Sequence, residues 1–427
     1  MERILTRNGL TRVLFQDFNQ AAFKKFNLPM RRAATIARMP DYLQALDAIV
    51  QCIAHARSVP AHSRKPLRVR GGGSKDFFGA QLHGDLLETR GLQGIVSYEP
   101  TELVVTVRSG TLLSELEALL QERNQCLPFE PPHFGHAGTT IGGLVASGLS
   151  GPSRASVGAT RDFVLGARFI NGLGEHLTFG GQVMKNVAGY DVSRVLAGSW
   201  GTLGLITEVS LKVLAFAPCE ASLVCTLGQP ETLQLLHRWG GQPLPLNASC
   251  WQCDPGATSG RLTVRLRGAQ AAVQAALPKM QADVAAQGGQ AQPADAEAAM
   301  FFWDAMRNQQ HTFFTRPPAE NDCLWRLSVA QTTPVLDLPH AQCVEWQGAQ
   351  RWVWAPATAA SQLHALAAQA GGHATLFRRP AGALAGKDAS APVFDRLDAT
   401  QQRIQTALQA EFDPDGVFNT GRLHSPA

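Results

Sequence analysis

The chain has 427 residues, 45% of them hydrophobic and 17% charged, with a net charge of +4; that length allows two or three domains and a sizeable core. Residues 1–40 hold eight basic residues against two acids, so the rest is close to neutral and has no electrostatic footprint for nucleic acid. No run approaches the ~20 continuous apolar residues of a membrane span, and the start lacks the apolar stretch of a secretory signal.

The basic residues 1–40 read as an extension: a targeting segment, a surface arm, or an overlong start with Met39 as the true one. The last is favoured because regular patterning begins at Asp41. Asp41–Arg57 is predicted helical, with Asp41 as N-cap and Leu43, Leu46, Ile49, Val50 and Ile53 on one face. A short strand, Pro66–Arg70, runs into Gly71-Gly72-Gly73-Ser74. A strand ending in three glycines exposes successive backbone N–H groups at close range, which suits a phosphate. A plain glycine turn is the alternative. The spacing of a Walker A loop is absent, and so is any G-x-G-x-x-G, which removes the support for a Rossmann site.

Strands are predicted at Ile95–Tyr98 and Leu103–Val107, and a helix at Thr111–Arg123. From Gly138 to Gly151 nearly every residue is small. Such a run lets backbone lie against a planar ligand, with Thr139, Thr140 and Ser147 as short donors; it serves equally for tight packing. Phe163–Ile170 reads as a strand, Gly172–Gly174 as a turn and His176–Phe179 as the hairpin partner. The segment Lys185–Asp191 brings a cation, an amide, a phenol and a carboxylate together. Lys185 and Tyr190 are candidates for chemistry there, although Asp191 as a helix cap and Tyr190 as a packed ring are the commoner roles. Asp191–Leu196 is predicted helical and Leu205–Leu214 extended.

Beyond residue 217, strand-like segments (222–226, 261–267, 325–328, 351–355) alternate with Ala/Gln-rich helices (269–286, 359–370), as in an α+β domain with an antiparallel sheet. Gly382–Pro392 reads as a linker, Val393–Phe412 as a terminal helix, and Asp413–Gly416 as a turn. The eight cysteines are scattered, and their one close pair is Cys250-Trp-Gln-Cys253. One such pair is weak evidence for a metal, and the four-cysteine run of an iron–sulfur protein is missing. No metal site is expected, and the thiols suit a reducing cytosol.

Taken in order, Arg70-Gly-Gly-Gly-Ser, Thr140-Ile-Gly-Gly, Arg161-Asp-Phe-Val-Leu-Gly166, Lys185-Asn-Val-Ala-Gly-Tyr-Asp191, Gly198-Ser-Trp-Gly-Thr-Leu-Gly204 and Ile206-Thr-Glu208 resemble the vanillyl-alcohol-oxidase/PCMH-type FAD-binding family. The wording is similar to the FAD-binding subunits of bacterial glycolate oxidases, and the closing Phe412–Arg422 resembles the family's C-terminal return to the flavin. The resemblance implies an α+β fold: a PCMH-type two-subdomain FAD-binding domain (41–217), a smaller α+β cap with an antiparallel sheet (218–390), and a C-terminal helix and tail (391–427).

It also implies roles. Arg70, Gly71, Gly72, Gly73 and Ser74 would hold the pyrophosphate. Thr139, Thr140, Ile141, Gly142, Gly143 and Ser147 would line the other side of the cofactor. Gly158 and Asp162 would shape the adenine end, with Ile206 near the adenine and Asn419 near the isoalloxazine, and Gly204 would also belong to the cofactor site. Relatives with covalent flavin carry a His where this chain has Ser74, so FAD is expected to be non-covalent. Where many relatives have an Asn and a Tyr-Gly pair, this chain has Ser147 and Val157-Gly158.

The implied chemistry is oxidation of a 2-hydroxy acid, glycolate in the first place. That needs a cation for the carboxylate and a base for the hydroxyl. Between residues 218 and 390 the candidates are Arg307, Arg316, Arg326, Arg378 and Arg379, with His311, His340, His364 and His373; none is singled out as catalytic. The implied partners are a larger FAD-binding subunit and an iron–sulfur subunit, in the cytoplasm or peripheral on the inner membrane. Two other readings stay open: a supporting subunit beside a catalytic sister, and a stand-alone hydroxy-acid dehydrogenase.

Overall fold

The computed structural model describes residues 39–80, 84–135, 138–181, 191–253, 259–380, 392–418 and 421–423. The basic extension, Lys185, Tyr190, most of the expected linker and Asn419 lie outside these residues.

The chain opens with the helix Met39–Ser58 and the parallel pair β1 (Leu67–Arg70) and β2 (Asp85–Glu88). Tyr42, Ile49 and Ile53 of the helix pack on Leu67 and Leu87, and Val417 and Phe418 from the far end of the chain complete that small core. The C-terminal return is held by backbone. Leu67 N donates to Val417 O at 2.6 Å, and Asp413 accepts from the amides of Val417 and Phe418.

Next come β3 (Ile95–Glu99), β4 (Val104–Arg108), the short β5 (Gln125–Cys126), β6 (Val164–Ile170), β7 (His176–Gly180), β8 (Leu205–Lys212) and the short β9 (Leu214–Ala215). Five of them make an antiparallel sheet in the order β3-β4-β8-β6-β7. The strands are rich in β-branched residues, and β4 is buried along its whole length. The helices Leu113–Gln121 and Ile141–Ser147 close one face, with Leu113, Leu116, Leu120, Ile141, Leu144 and Val145 packed on Val105, Phe169 and Val209. The small-residue run Gly138–Gly151 therefore contains a helix. Its closeness to the sheet needs small residues, since a Cβ on Gly142 would lie 2.7 Å from Ser109 Cβ.

The rest of the chain forms β10 (Cys219–Leu227), β11 (Leu246–Cys253), β12 (Gly260–Gly268), β13 (Gln290–Pro293), β14 (Asp322–Ser328), β15 (Gln342–Glu345), β16 (Gln350–Pro356) and β17 (His373–Arg378). They make one eight-stranded antiparallel sheet in the order β13-β10-β12-β11-β15-β16-β14-β17. Side-chain alternation gives it two faces. Trp325, Leu327 and Val353 pack beneath the helix Ala360–Gln369. On the opposite face Cys250, Leu324, Cys343, Trp352 and Phe377 meet Phe78 and Leu149 from the N-terminal half. The architecture is α+β, as expected.

Three sequence expectations change. The last helix spans Ala399–Phe412 rather than starting at Val393, because Asp398 makes a capping box with Gln401. Val393 and Phe394 are extended along β17, with Leu376 N donating to Val393 O. Strands β11 and β15 carry no clear alternation and were not anticipated. The Cys250–Cys253 pair falls within β11, where residues three apart point to opposite faces, so the two thiols do not converge. Cys250 Sγ instead lies 3.6 Å from Cys343 Sγ on the neighbouring strand.

Candidate functional site

A cleft opens where β1 ends, between the glycine triplet and the N-terminal turn of the helix Ile141–Ser147. The two walls are in backbone contact. A Cβ on Gly71 would lie 2.2 Å from Thr140 Oγ1, and one on Gly72 would lie 1.4 Å from Gly138 O. Gly73 has φ +78°, in the left-handed region that glycine occupies freely. Any side chain at Gly71 or Gly72 would force the walls apart.

The triplet keeps its hydrogen-bonding capacity free. Among the described residues, no backbone acceptor takes the N–H groups of Gly71, Gly72, Gly73 or Ser74. The opposite wall differs: Ile141 N donates to Thr111 O, Gly142 N to Ser109 O, and Gly143 N to Thr140 Oγ1. The helix terminus is thus spent on the fold, and the donors available to an anion come from the triplet.

Two cations reinforce them. Lys75 is 8% exposed, donates to Ser74 Oγ at 3.2 Å, and has its pKa lowered to about 8 by burial. Arg422 comes from the C-terminal return and is 6% exposed. Its guanidinium stacks 4.7 Å from the Trp200 ring, its Nε has no partner, and burial lowers its pKa to about 10. Among the described residues neither makes a salt bridge; the carboxylate at the cleft, Asp76, pairs with Arg70 at 2.7 Å. Trp200, stacked 4.4 Å from Phe78, and Ile206 supply flat apolar wall. Unbonded amides, cations without a salt bridge among the described residues and glycine walls that admit no Cβ fit a cofactor with a diphosphate and planar rings.

Of the residues singled out from sequence, Arg70, Gly71, Gly72, Gly73, Ser74, Thr140, Gly142, Gly143, Gly204 and Ile206 line this cleft. Others expected there do not. Thr139 Oγ1 donates to His133 O, Ile141 is core, and Ser147 Oγ donates back to Leu144 O. Gly158 and Asp162 form a turn in which Asp162 accepts from Ala159 N. Lys75, Thr89, Trp200 and Arg422 line the cleft without having been predicted. Lys75 directly follows the glycine motif and Arg422 closes the C-terminal one, but only folding reveals that, among the described residues, neither has a carboxylate partner.

The candidate cations beyond residue 217 also separate. Arg307 is committed to Glu117 and Pro131 O, and Arg378 to Gln309 Oε1 and Phe314 O. Arg316 is exposed. Arg326 faces a second cavity. Among the bases, His311 Nδ1 accepts from Phe313 N, and His364 pairs with Asp395. Among the described residues no three His, Cys, Asp or Glu gather as a metal site would require, and no helix is long and apolar enough to cross a membrane.

Comparison with known proteins agrees with this geometry. Residues 42–180 match the FAD binding domain family. The chain is 41% identical to glycolate oxidase subunit GlcE of Escherichia coli (strain K12), over 90% of this chain and 98% of that protein. It is 32% identical to a D-lactate dehydrogenase of Anaerostipes hadrus over 35% of this chain and 30% of that one. It is 28% identical to glycolate oxidase subunit GlcD of Bacillus subtilis (strain 168) over 41% and 38%. Among solved structures, alkyldihydroxyacetonephosphate synthase superposes with a TM-score of 0.62 at 13% identity, covering 87% of this chain and 74% of that one. That likeness is one of fold.

Proposed function

The chain belongs to the family of glycolate oxidase subunit GlcE, and on that premise we propose that it is the FAD-binding subunit of a glycolate oxidase complex, oxidising glycolate or a similar 2-hydroxy acid to the 2-oxo acid. The observation that carries the reading is the cleft, lined by four residues whose amides have no backbone acceptor among the described residues and by two cations that make no salt bridge there. Bound FAD supplies the two-electron acceptor for the CH–OH group. The protein's part is to hold it and to exclude water. Gly71–Gly73 and Ser74 take the diphosphate, Lys75 and Arg422 offset its charge, and Trp200 and Ile206 pack on rings. Ser74 occupies the place of the histidine that forms a covalent link in some relatives, so the flavin is held non-covalently. The residues 41–217 and the C-terminal return form the FAD-binding part, and 218–390 the cap. The partners are a larger FAD-binding subunit and an iron–sulfur subunit, with the assembly cytoplasmic and in peripheral contact with the inner membrane.

Two measurements test this. The purified full chain should carry FAD or take it up on reconstitution, and acid precipitation should release the flavin into the supernatant; a chain that takes up no flavin overturns the reading. Anaerobic glycolate should then bleach the flavin within seconds. A second reading is favoured by the engagement of His311 and His364 elsewhere: the chain supports a catalytic sister subunit. Bleaching that needs the larger partner would select it.

A further inference from the structure

Three sulfurs meet beside the second cavity, whose lining includes Met306, Arg326, Glu345, Gln350 and Trp352. On β11 and β15, Gln252 stands opposite Cys343, and Cys250 opposite Glu345. Residues two apart on a strand share a face, so both thiols project to the same side. Met306, from the helix Ala296–Arg307, packs in the same cluster. Cys250 Sγ is 3.6 Å from Cys343 Sγ and 4.0 Å from Met306 Sδ. All three residues are buried, and burial pushes the Cys250 thiol well above its ordinary pKa.

An amide caps these sulfurs. Gln252 Nε2 lies 3.5 Å from Cys250 Sγ, 3.6 Å from Met306 Sδ, 3.6 Å from Cys343 Sγ and 3.4 Å from His311 Nδ1. Thiol and thioether sulfurs are weak acceptors, and His311 Nδ1 already accepts from Phe313 N, so these contacts hold the amide only weakly. Gln252 and His311 are half-buried, whereas the sulfurs behind them are shielded.

The separations decide between two uses of the thiol pair. Diagonal positions on adjacent strands have Cα atoms about 7–8 Å apart, beyond the ~6.8 Å that a disulfide spans, so an S–S bond would require the strands to move. An ion among the sulfurs would not. Three sulfurs each about 2.3 Å from one ion, the length of a metal–thiolate bond, stand about 4 Å apart when the ion lies in their plane. The separations observed are 3.6 and 4.0 Å. Zinc takes cysteine, histidine or carboxylate, almost always four of them. Two thiols and a thioether suit monovalent copper. A monovalent ion that displaces one thiol proton to solvent leaves the site neutral, which burial favours.

We propose that Cys250, Cys343 and Met306 form a three-sulfur site for a soft monovalent cation of the Cu(I) class, reached when the Gln252 side chain swings aside. The ion ties the helix Ala296–Arg307 to β11 and β15. The cofactor reading plays no part in this assignment.

The test titrates the full chain anaerobically with Cu(I) against a chromophoric Cu(I) chelator, and separately with Zn(II). Wild type should take up one Cu(I) per chain, melt higher with it bound, and bind Zn(II) far more weakly. Cys250→Ala and Cys343→Ala should each weaken Cu(I) binding on the order of a hundredfold, and Met306→Leu about tenfold. Met306→Leu keeps the side-chain volume, so its melting temperature without copper should hardly move. Gln252→Ala should speed Cu(I) uptake, which a purely structural thiol cluster would not do. Cys52→Ser, at the exposed thiol, should bind like wild type. A wild type that takes up no Cu(I), equal affinity for Zn(II), or binding lost in Cys52→Ser and kept in the two alanine variants overturns the proposal. Should the alanine variants fail to fold, unchanged affinity in Met306→Leu together with unchanged uptake in Gln252→Ala overturns it as well.

Discussion

The two cavities are made of different materials. The first is backbone: three consecutive glycines, a facing threonine and glycine, and amides left without acceptors. The second is side chain: Arg326, Glu345, Gln350 and Trp352, delivered by three strands onto one face of a sheet. The first tolerates no added atom at its centre, while the second is defined by which atoms it leaves unbonded. A backbone site is therefore broken by adding a methyl group, and a side-chain site by removing a functional group.

The largest effect should come from testing that asymmetry at the pinch point. Gly72→Ala places a Cβ 1.4 Å from Gly138 O, a collision that neither backbone can relieve locally. Flavin per purified chain should drop at least tenfold. A Gly72→Ala chain with full flavin content would show that the walls are not in contact in solution.

The next test concerns what ties the two regions together. Glu130 bonds Arg265 at 2.7 Å and Arg267 at 3.1 Å, both on β12. Burial alone would raise its pKa, but the two arginines outweigh it and hold the carboxyl at about 2. Glu130→Gln leaves Arg265, itself 3% exposed, without a counter-charge, and should cost about 3 kcal/mol in denaturant unfolding. The sign with pH follows from the lowered value. The stabilisation is present above the ordinary carboxylate range and is lost as pH falls toward 2. The difference between wild type and variant should therefore shrink in acid.

The same contrast in materials explains what the sequence disclosed. Arg70–Ser74 is contiguous and position-specific, so the cleft was visible before folding, as were the strands around Val105 and Val209. Arg326 was one of five candidate cations with nothing to set it apart, and Gln350 was unremarkable, because being unpartnered is a property of the folded neighbourhood. Strands β11 and β15 went unseen because Gln252, Gln342 and Glu345 put polar residues among the apolar positions of each face; of these, Glu345 lines the second cavity. The last helix was started too early because apolar Val393 and Phe394 fit a helical stripe while in fact extending along β17.

A smaller effect should sharpen the electrostatics of the first cleft. With Lys75 lowered to about 8 by burial, a bound diphosphate should raise that value again. Flavin binding then takes up a proton above pH 8, and the dissociation constant should climb by up to about tenfold per pH unit there. Lys75→Met should bind FAD more weakly at pH 7 and lose the slope. A slope that persists in Lys75→Met would assign it to another group.

The smallest effect expected is at Glu345, beneath the second cavity. Burial raises its carboxyl to about 7, against the bonds from Trp352 and Gln350, which favour the charged form. A raised value in the folded state means that its contribution is present below the ordinary carboxylate pKa and is lost as pH rises through about 7. Glu345→Gln keeps an acceptor at the Oε2 position for both donors and cannot ionise. It should melt a few degrees higher than wild type at pH 8 and match it near pH 4. Equal melting temperatures of the two proteins at pH 8 would show that Glu345 does not ionise there at the cost of stability.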